Sequence, residues 1–278
     1  MQKLGIVAGA GELPKLVAAM AAAKSLSPVI VSLSQASDWT QTGFTPKVFG
    51  LTQIESILAH FTQNQVEHLV MVGKVERPEI SADMVIDATS AKLLQEALPL
   101  GDDAALRAVL GTIQQAGLTI LPLQALMPEH KIPADYDNQS QNGASNEVQN
   151  EALTIAIKAH KRLSKLDVGQ SLIAQGSRIL AIEAAEGTDQ MIARAKDLVR
   201  DDADALFFKA SKITQNKLLD PPVIGPDTIE MCHKSGITTI AIEAEHCLLA
   251  APLAQIEALC VRHNIRLVSV TIDEADKI

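Results

Sequence analysis

KLGIVAGAGELP, residues 3–14, is a short apolar run that enters a glycine-rich turn and then reaches a proline. Runs of this kind alternate with helical stretches through residue 136, which is typical of an α/β sheet with crossover helices. We predict strands near 3–8, 28–33, 67–73 and 118–121, and helices near 13–24, 53–63 and 102–116. The first half of the chain is therefore expected to form a parallel-sheet domain over residues 1–136.

The glycine turn at residues 9–11 could bring the backbone close to a phosphate, and Pro14 suits a first helical turn whose N–H groups favour anions. A dinucleotide fingerprint would need a third glycine and an acidic residue at the end of the second strand. Pro14 occupies the third position, and Asp38 lies beyond the end of the strand PVIVSLS. NAD is disfavoured, whereas a phosphate cradle and a ligand-free strand–helix turn both stay open.

The second half begins after a polar stretch, DYDNQSQNGASNEVQN at 135–150, which we interpret as a linker over 137–150. An amphipathic helix over 150–166 follows, and Gly176 separates two strand candidates that could form a hairpin. Further elements are predicted as helices at 188–200, 226–235 and 252–263 and strands at 204–208, 237–242 and 266–272. Residues 151–278 are thus expected to form an α/β domain with a mixed sheet.

Carboxylates gather in this second half. The segment IEAAEGTD would direct Glu183, Glu186 and Asp189 into one loop, although Asp189 could simply cap the next helix. Asp220 precedes two prolines, which stiffen its loop. Oxygen ligands without paired His or Cys suit Mg²⁺, and Lys209 at a strand end could balance phosphate charge or form a solvated tip. Metal-assisted phosphoanhydride chemistry is consistent with this pattern.

Composition excludes several classes of protein. A net charge of -9 and only 3% aromatic residues argue against binding to nucleic acid. The three cysteines lie far apart, which suggests neither a disulfide framework nor a thiolate zinc site and fits a reducing cytoplasm. No apolar run reaches the roughly 18 residues expected of a membrane span.

Taken in order, several segments resemble the LpxI type of UDP-2,3-diacylglucosamine pyrophosphatase, an enzyme of lipid A biosynthesis. They are GIVAGAGELP near the start, VMVGKVERP at 70–78, GDDAALRAVL at 101–110, then LDVGQSLIAQG, ILAIEAAEGTDQMIAR, FFKASK, LLDPPVIGPDT and IAIEAEH. The resemblance implies two domains, a Rossmann-like UDP-binding domain followed by a catalytic one. It also implies Mg²⁺-dependent hydrolysis to UMP and lipid X, with water attacking the sugar-side (β) phosphorus.

The same resemblance implies a cytoplasmic enzyme that is peripheral to the inner membrane and contacts its surface transiently. A homodimer is compatible with it. Matched position by position, Asp220 is expected to be an essential catalytic or metal-binding carboxylate, with Lys209 and Asp189 as further catalytic residues. The remaining matches are Gly9, Gly11, Glu12, Gly187, Thr188 and Gln215 as cofactor- or nucleotide-binding residues, and Glu183 and Glu186 as partners of Asp220 in holding the metal.

Two places depart from the family pattern. The family usually reads Gln-Asp-x-Arg before the D-x-P loop, whereas Gln215 is followed here by Asn216, Lys217 and Leu218. Glu245 stands where a glycine is common. Lys217 replaces an arginine fork only in part. A second function therefore stays open, a nucleotide-sugar or lipid-binding sensor that kept the fold without turnover.

Overall fold

The computed structural model describes residues 2–33, 38–75, 84–96, 102–139, 147–166, 168–200, 204–212 and 221–272. Within this part of the chain, contacts divide the protein into two compact units. Along the sequence, the boundary between them lies between Met127 and Pro128. Each unit has its own sheet and its own buried core.

The first unit is an α/β layer structure around a five-stranded sheet. Its strands are β1 (Lys3–Ala8), β2 (Ser27–Leu33), β3 (Lys47–Phe49), β4 (His68–Val72) and β5 (Thr119–Ile120), and its helices are α1 (Leu13–Ala23), α2 (Ile54–Gln63), α3 (Ala88–Glu96), α4 (Asp102–Gln115) and α5 (Leu123–Leu126). The strand order is β3-β2-β1-β4-β5, and every pair is parallel. The chain therefore changes direction across the sheet between β1 and β4, which is the Rossmann-like arrangement expected from the sequence.

The core of this unit follows from the apolar runs that were visible in the sequence. Strand β1 is buried over Leu4–Ala8, and Val7, Val31, Phe61 and Leu69 share one core cluster. Sequence patterns missed β3, because it is an edge strand of three residues in which Lys47 and Val48 are exposed. A strand so short carries too little alternation to be recognised.

The second unit is built on a mixed five-stranded sheet. Its strands are β6 (Ser171–Gln175), β7 (Arg178–Ile182), β8 (Ala205–Lys209), β9 (Val223–Ile224), β10 (Ile237–Glu243), β11 (Leu248–Leu249) and β12 (Arg266–Val270), and its helices are α6 (Glu147–Leu163), α7 (Thr188–Ala195), α8 (Pro226–Lys234) and α9 (Leu253–Arg262). The order is β12-β10-β8-β6-β7, with β6 antiparallel to both β7 and β8. The predicted hairpin and mixed sheet are confirmed, while β9 and β11 form a separate parallel pair.

The segment after Met127 belongs to the second unit. Lys131 pairs with β11, and Asp137 pairs with Val268 of the edge strand β12. The Arg266 guanidinium holds the Asp137 carboxylate at 2.7 Å. Because this backbone covers the open edge of β12, it groups residues 128–139 with the second unit, where the sequence boundary had been drawn after residue 136. Helix α6 likewise begins inside the predicted linker.

The three cysteines, Cys232, Cys247 and Cys260, are buried in the second unit. Burial raises the pKa of the Cys247 and Cys260 thiols to about 12, and it raises the pKa of the Cys232 thiol further still. All three thiols are therefore protonated at pH 7 inside the core. No helix among the described residues combines the length and apolarity that a membrane crossing requires.

The turn after β10 stores backbone strain. Glu245 lies in the left-handed region with a φ of 63°, and its N–H donates to the Ile132 carbonyl. This conformation costs a residue with a Cβ about 1–2 kcal/mol, which explains why a glycine is common at this position in the resembling family. We expect Glu245→Gly to raise the free energy of unfolding by about 0.5–1 kcal/mol, after the greater freedom of glycine in the unfolded chain is subtracted.

Thermal unfolding of Glu245→Gly beside Glu245→Ala measures this effect. Alanine removes the exposed carboxylate and keeps the strained backbone, so it should leave the melting temperature almost unchanged. An equal gain from both substitutions would show that charge repulsion, rather than the backbone angle, limits stability at this turn.

Candidate active site

One edge of the mixed sheet collects buried polar side chains. The strands β8, β10 and β7 end at this edge and β6 begins there, because Ser171 pairs with Lys209 and Leu172 pairs with Ile182. Lys209, Ser171 and Glu243 are all buried. Polar groups at the carboxyl ends of strands are where α/β proteins usually place their chemistry.

Lys209 is the central charge of this edge. Its side chain is 7% exposed, and its Nζ donates a hydrogen bond of 2.9 Å to the Thr188 hydroxyl. In the part of the chain that the structure describes, no carboxylate lies within ion-pairing distance of this ammonium. An ammonium has three N–H donors, so a single hydroxyl leaves room for an anion.

Glu183 anchors the other end of the same network. The Thr188 hydroxyl donates to Glu183 Oε1 at 2.8 Å, and the Gln170 N–H donates to Oε2 at 3.1 Å. The Ser171 hydroxyl also donates to Oε2 and lies 3.3 Å from the Thr188 hydroxyl. Two hydroxyls and a backbone amide thus fix one carboxylate, and Thr188 connects it to the Lys209 ammonium.

Gly169 explains how Glu183 can lie so close to the loop before β6. A Cβ at residue 169 would lie 2.5 Å from the Glu183 Cβ and 2.7 Å from the Glu183 carbonyl oxygen. The Gly169 N–H donates to that carbonyl at 3.0 Å. Only glycine allows this approach, so residues 168–170 and Glu183 pack closely together.

The other predicted carboxylates of this loop face elsewhere. Glu186 accepts from Arg194 at 2.8 and 3.0 Å, and these bonds lower the pKa of the exposed Glu186 carboxyl. Asp189 is exposed in the first turn of α7, whose N-cap is Gly187 with a φ of 81°. The structure therefore brings Lys209, Thr188 and Glu183 together, and it describes Glu186 and Asp189 outside their network.

The expected metal site was tested on these residues. No group of three His, Cys, Asp or Glu side chains that could hold a metal ion is found in the described ranges. Glu183 already accepts three hydrogen bonds, and Glu186 is paired with Arg194. These two carboxylates do not fit a shared Mg²⁺ site. Asp220 and Gln215 lie outside the described residues.

The glycine turn of the first unit has two different parts. Gly9 is buried, and a Cβ there would lie 2.5 Å from the Lys74 carbonyl oxygen, because Ala10 and Lys74 exchange two backbone hydrogen bonds of 2.7 and 3.0 Å. The close approach at Gly9 is therefore between two loops of the protein. Gly11 is exposed at a φ of 100° with nothing within 4 Å of its Cβ position. Glu12 is exposed and pairs with Lys15 at 2.7 Å.

Sequence reasoning missed two members of the sheet edge. Ser171 lies in the first of the two strand candidates around Gly176, and Glu243 lies in the IAIEAEH segment, but neither is among the predicted site residues. Strand pairing places Ser171 opposite Lys209. Glu243 accepts a hydrogen bond from the N–H of Ser211, two residues after Lys209. A polar residue at the end of an otherwise apolar strand was the available signal in each case.

Comparison with known proteins agrees with the motif pattern. The LpxI N-terminal domain family matches residues 3–130, and the LpxI C-terminal domain family matches residues 138–268. A relative from Caulobacter vibrioides, named UDP-2,3-diacylglucosamine pyrophosphatase LpxI, is 29% identical over 268 residues, covering 93% of this chain and 94% of its own length.

Solved structures align less closely. A putative NAD-dependent epimerase/dehydratase from Methylobacillus flagellatus covers 95% of this chain and 82% of its own, at 12% identity and a TM-score of 0.34. A UDP-glucose-4-epimerase from Stenotrophomonas maltophila covers 42% of this chain and 35% of its own, at 16% identity and a TM-score of 0.28. Both halves of the sequence match the two LpxI domains in order, so the chain belongs to the LpxI family.

Proposed function

We propose that this chain hydrolyses the diphosphate of UDP-2,3-diacylglucosamine, releasing UMP and lipid X (2,3-diacylglucosamine 1-phosphate). Membership of the LpxI family supports the enzyme class, a hydrolase, and the name of the Caulobacter vibrioides relative supports the substrate. The geometry of the sheet edge supports a phosphate-containing substrate independently of both.

The observation that carries the proposal is the buried ammonium of Lys209. Removing an unpaired ammonium from water costs several kcal/mol unless a counter-charge compensates for it. Among the described residues its partner is the neutral Thr188 hydroxyl, with Glu183 one hydrogen bond further away. A diphosphate supplies the negative oxygens that such a group binds, and fixed charges of this kind stabilise the transition state of phosphoryl transfer.

We propose a simple reaction sequence, in which attack on the β phosphorus is taken from the family resemblance. Water attacks the β phosphorus, the bond from this phosphorus to the bridging oxygen breaks, and UMP departs with the bonding electrons while the attacking water loses a proton to the surrounding solvent. Lys209 offsets charge on the phosphate oxygens. Thr188 donates to Glu183 and accepts from Lys209, so its hydroxyl has one orientation and keeps the ammonium aimed at the substrate. Positioning and electrostatics carry most of the rate in such reactions.

Mg²⁺ dependence stays a proposal. The ion would offset diphosphate charge when bound, and the described carboxylates Glu183 and Glu186 do not fit a shared site for it. The proposal therefore depends on Asp220 and on the substrate's own oxygens. Loss of activity in EDTA and its recovery on adding MgCl₂ would support it, whereas full activity in EDTA would contradict it.

The UDP moiety and the acyl chains of the substrate also need places to bind. The turn with Gly11 lies where β1 ends, beside the position at which the strand order changes direction, and we propose that it approaches the UDP moiety. A substrate with two acyl chains belongs to a membrane, so we also propose a cytoplasmic enzyme with transient contact at the inner membrane surface. A homodimer can be tested by light scattering.

Asp220→Ala tests the catalytic assignment that rests on the D-x-P motif. We expect a loss of about 10²-fold or more in kcat with the fold retained, because a positioned acid–base or electrostatic group contributes on this scale. The assay is UMP release from UDP-2,3-diacylglucosamine, with thermal unfolding measured on the same preparation. Asp227→Ala is the matched control, since Asp227 is an exposed aspartate that also neighbours a proline.

Three outcomes separate the possibilities. Turnover of Asp220→Ala at the parental rate would exclude Asp220 from catalysis. Loss of activity together with unfolding would make it a structural residue of its loop. A parent protein that binds the UDP-lipid without releasing UMP would instead be the sensor that the altered Gln215–Leu218 segment left open.

A further inference from the structure

The backbone immediately after Lys209 is held by side chains from two other elements. The Ser211 N–H donates to Glu243 Oε2 at 2.8 Å, and the Ser211 carbonyl accepts from His160 Nε2 at 2.9 Å. Both partners are 3% exposed. The two peptide groups that flank the Ser211 Cα are therefore both fixed, the one before it at its N–H by β10 and the one after it at its carbonyl by α6.

Ala210, the residue before Ser211, is held by a third part of the chain. The Ala210 N–H donates to the Gln170 carbonyl at 3.0 Å, next to the loop that also binds Glu183. The end of β8 is thus held by β10, α6 and the loop before β6. Backbone bonds to a neighbouring strand are ordinary in a sheet. A buried histidine from a helix on the sheet face is not part of any ladder.

His160 lies next to the end of β8 because it belongs to a row of buried residues spaced four positions apart. Ala152, Ala156, His160 and Ser164 recur every four residues and are all buried. The two alanines let α6 approach the sheet, and the His160 ring lies against Phe208 with ring centroids 5.4 Å apart. The helix therefore delivers one polar ring to the end of β8 among apolar contacts.

The chemical state of His160 follows from its surroundings. Burial lowers the pKa of its imidazole, although the Ser211 carbonyl and the Glu243 charge oppose this shift, so the ring is neutral at pH 7. A carbonyl oxygen can only accept, so the proton of the neutral ring lies on Nε2. The Ser164 hydroxyl donates to the His160 carbonyl at 2.7 Å and lies 3.2 Å from Nε2, which helps to hold the ring in place.

Strand alternation connects this ring to the Lys209 ammonium. Phe208 and Ala210 pack in the cluster that faces α6, whereas Lys209 reaches Thr188 at the start of α7. The side chains of adjacent strand residues point to opposite faces, so the direction of Lys209 depends on how the backbone of residues 210 and 211, directly after it, is held. We infer that His160 is a positioning residue, which fixes the Ser211 carbonyl and thereby aims the Lys209 ammonium at the diphosphate.

This inference rests on the proposed function, and His160→Met tests it. Methionine can fill the space of the ring but has no donor for the Ser211 carbonyl. We expect kcat/KM for UDP-2,3-diacylglucosamine to fall at least tenfold. His160→Gln, whose amide N–H can reach the same carbonyl, should recover to within about threefold of the parent. Ile256→Val, a change in the core on the other side of the sheet, serves as the control for a modest loss of stability.

A purely structural role is separated by combining His160→Met with Lys209→Met. If His160 acts through Lys209, it has no further effect once the ammonium is gone, so the double variant should match Lys209→Met. An equal factor lost in both backgrounds would overturn the inference, and so would parental kcat/KM in His160→Met. If His160→Met does not fold, His160→Phe keeps a ring against Phe208 without a donor and is measured in its place.

The same data distinguish failure of the inference from failure of the proposed function. A parent protein that releases no UMP contradicts the proposed hydrolysis itself. A parent that is active beside an equally active His160→Met contradicts the positioning role alone.

Discussion

Lys209→Met should lower kcat/KM for UDP-2,3-diacylglucosamine by about 10³-fold, which is the scale on which single charge-stabilising donors contribute to a transition state. Methionine has a similar length and buries no charge, so the fold should be retained. The measurement is UMP release with thermal unfolding on the same sample. We expect the melting temperature to stay level or to rise, because the cost of holding an ammonium at 7% exposure disappears.

Lys234→Met is the matched control, since Lys234 is exposed at the end of α8. It should turn over like the parent. Parental activity in Lys209→Met would show that the Lys209 ammonium does not contribute to catalysis. Unfolding of Lys209→Met would show that the ammonium has a partner that stabilises the resting protein.

Gly169→Ala should lower kcat/KM by about 10²-fold, because displacing a catalytic network by about 1 Å has consequences of this size. The new Cβ would meet the Cβ and the carbonyl oxygen of Glu183 at 2.5 and 2.7 Å, and the carbonyl belongs to the backbone. Glu183 must therefore move away from Thr188. Overpacking of this kind also costs about 1–3 kcal/mol of stability, so the melting temperature should fall.

Gly176→Ala separates the loss of stability from the loss of activity. Gly176 lies in the hairpin between β6 and β7 with a φ of 54°, and nothing lies within 4 Å of its Cβ position. Alanine there strains the backbone without touching Glu183, so stability should fall while kcat/KM stays near the parental value. Equal activity losses in both variants would mean that Gly169 matters only for folding.

The sequence predicted the fold well because both sheets are made of continuous apolar strands. Runs such as LGIVA at residues 4–8 and ALFFK at residues 205–209 are buried along their length, and a strand buried on both faces is recognisable from composition alone. The boundary between the units was harder to place. Residues 128–139 are polar and irregular, and they join the second unit through pairing with β11 and β12, which no local pattern reveals.

The charged residues of the candidate site could be predicted from the sequence, whereas their hydrogen-bond partners could not. Lys209 and Glu183 stand out because each follows an apolar strand. Ser171 became a partner only through the antiparallel pairing of β6 with β8, which sets residue 171 opposite residue 209. Glu186 could not be separated from Glu183 in advance, because its partner Arg194 lies two turns along α7 and equally suits solvent.

Gly9 shows the limit of reading a glycine from its neighbours. Its motif suggested that a phosphate approaches the backbone, whereas the atom nearest to its Cβ position is the carbonyl oxygen of Lys74 after β4. A glycine that packs against another loop and a glycine that faces a ligand look alike in sequence. Gly11 has a positive φ and no atom within 4 Å of its Cβ position, so the second interpretation stays open for it.

Hydrolysis in ¹⁸O-labelled water tests the proposed reaction and distinguishes attack on the β phosphorus from attack on the α phosphorus. The purified chain is incubated with UDP-2,3-diacylglucosamine, and the masses and amounts of both products are measured by mass spectrometry. We expect equal amounts of UMP and lipid X, with one ¹⁸O atom in the phosphate of lipid X and none in UMP, because water attacks the β phosphorus in the proposed reaction. Label in UMP would contradict the direction of attack, and the absence of both products would contradict the hydrolase.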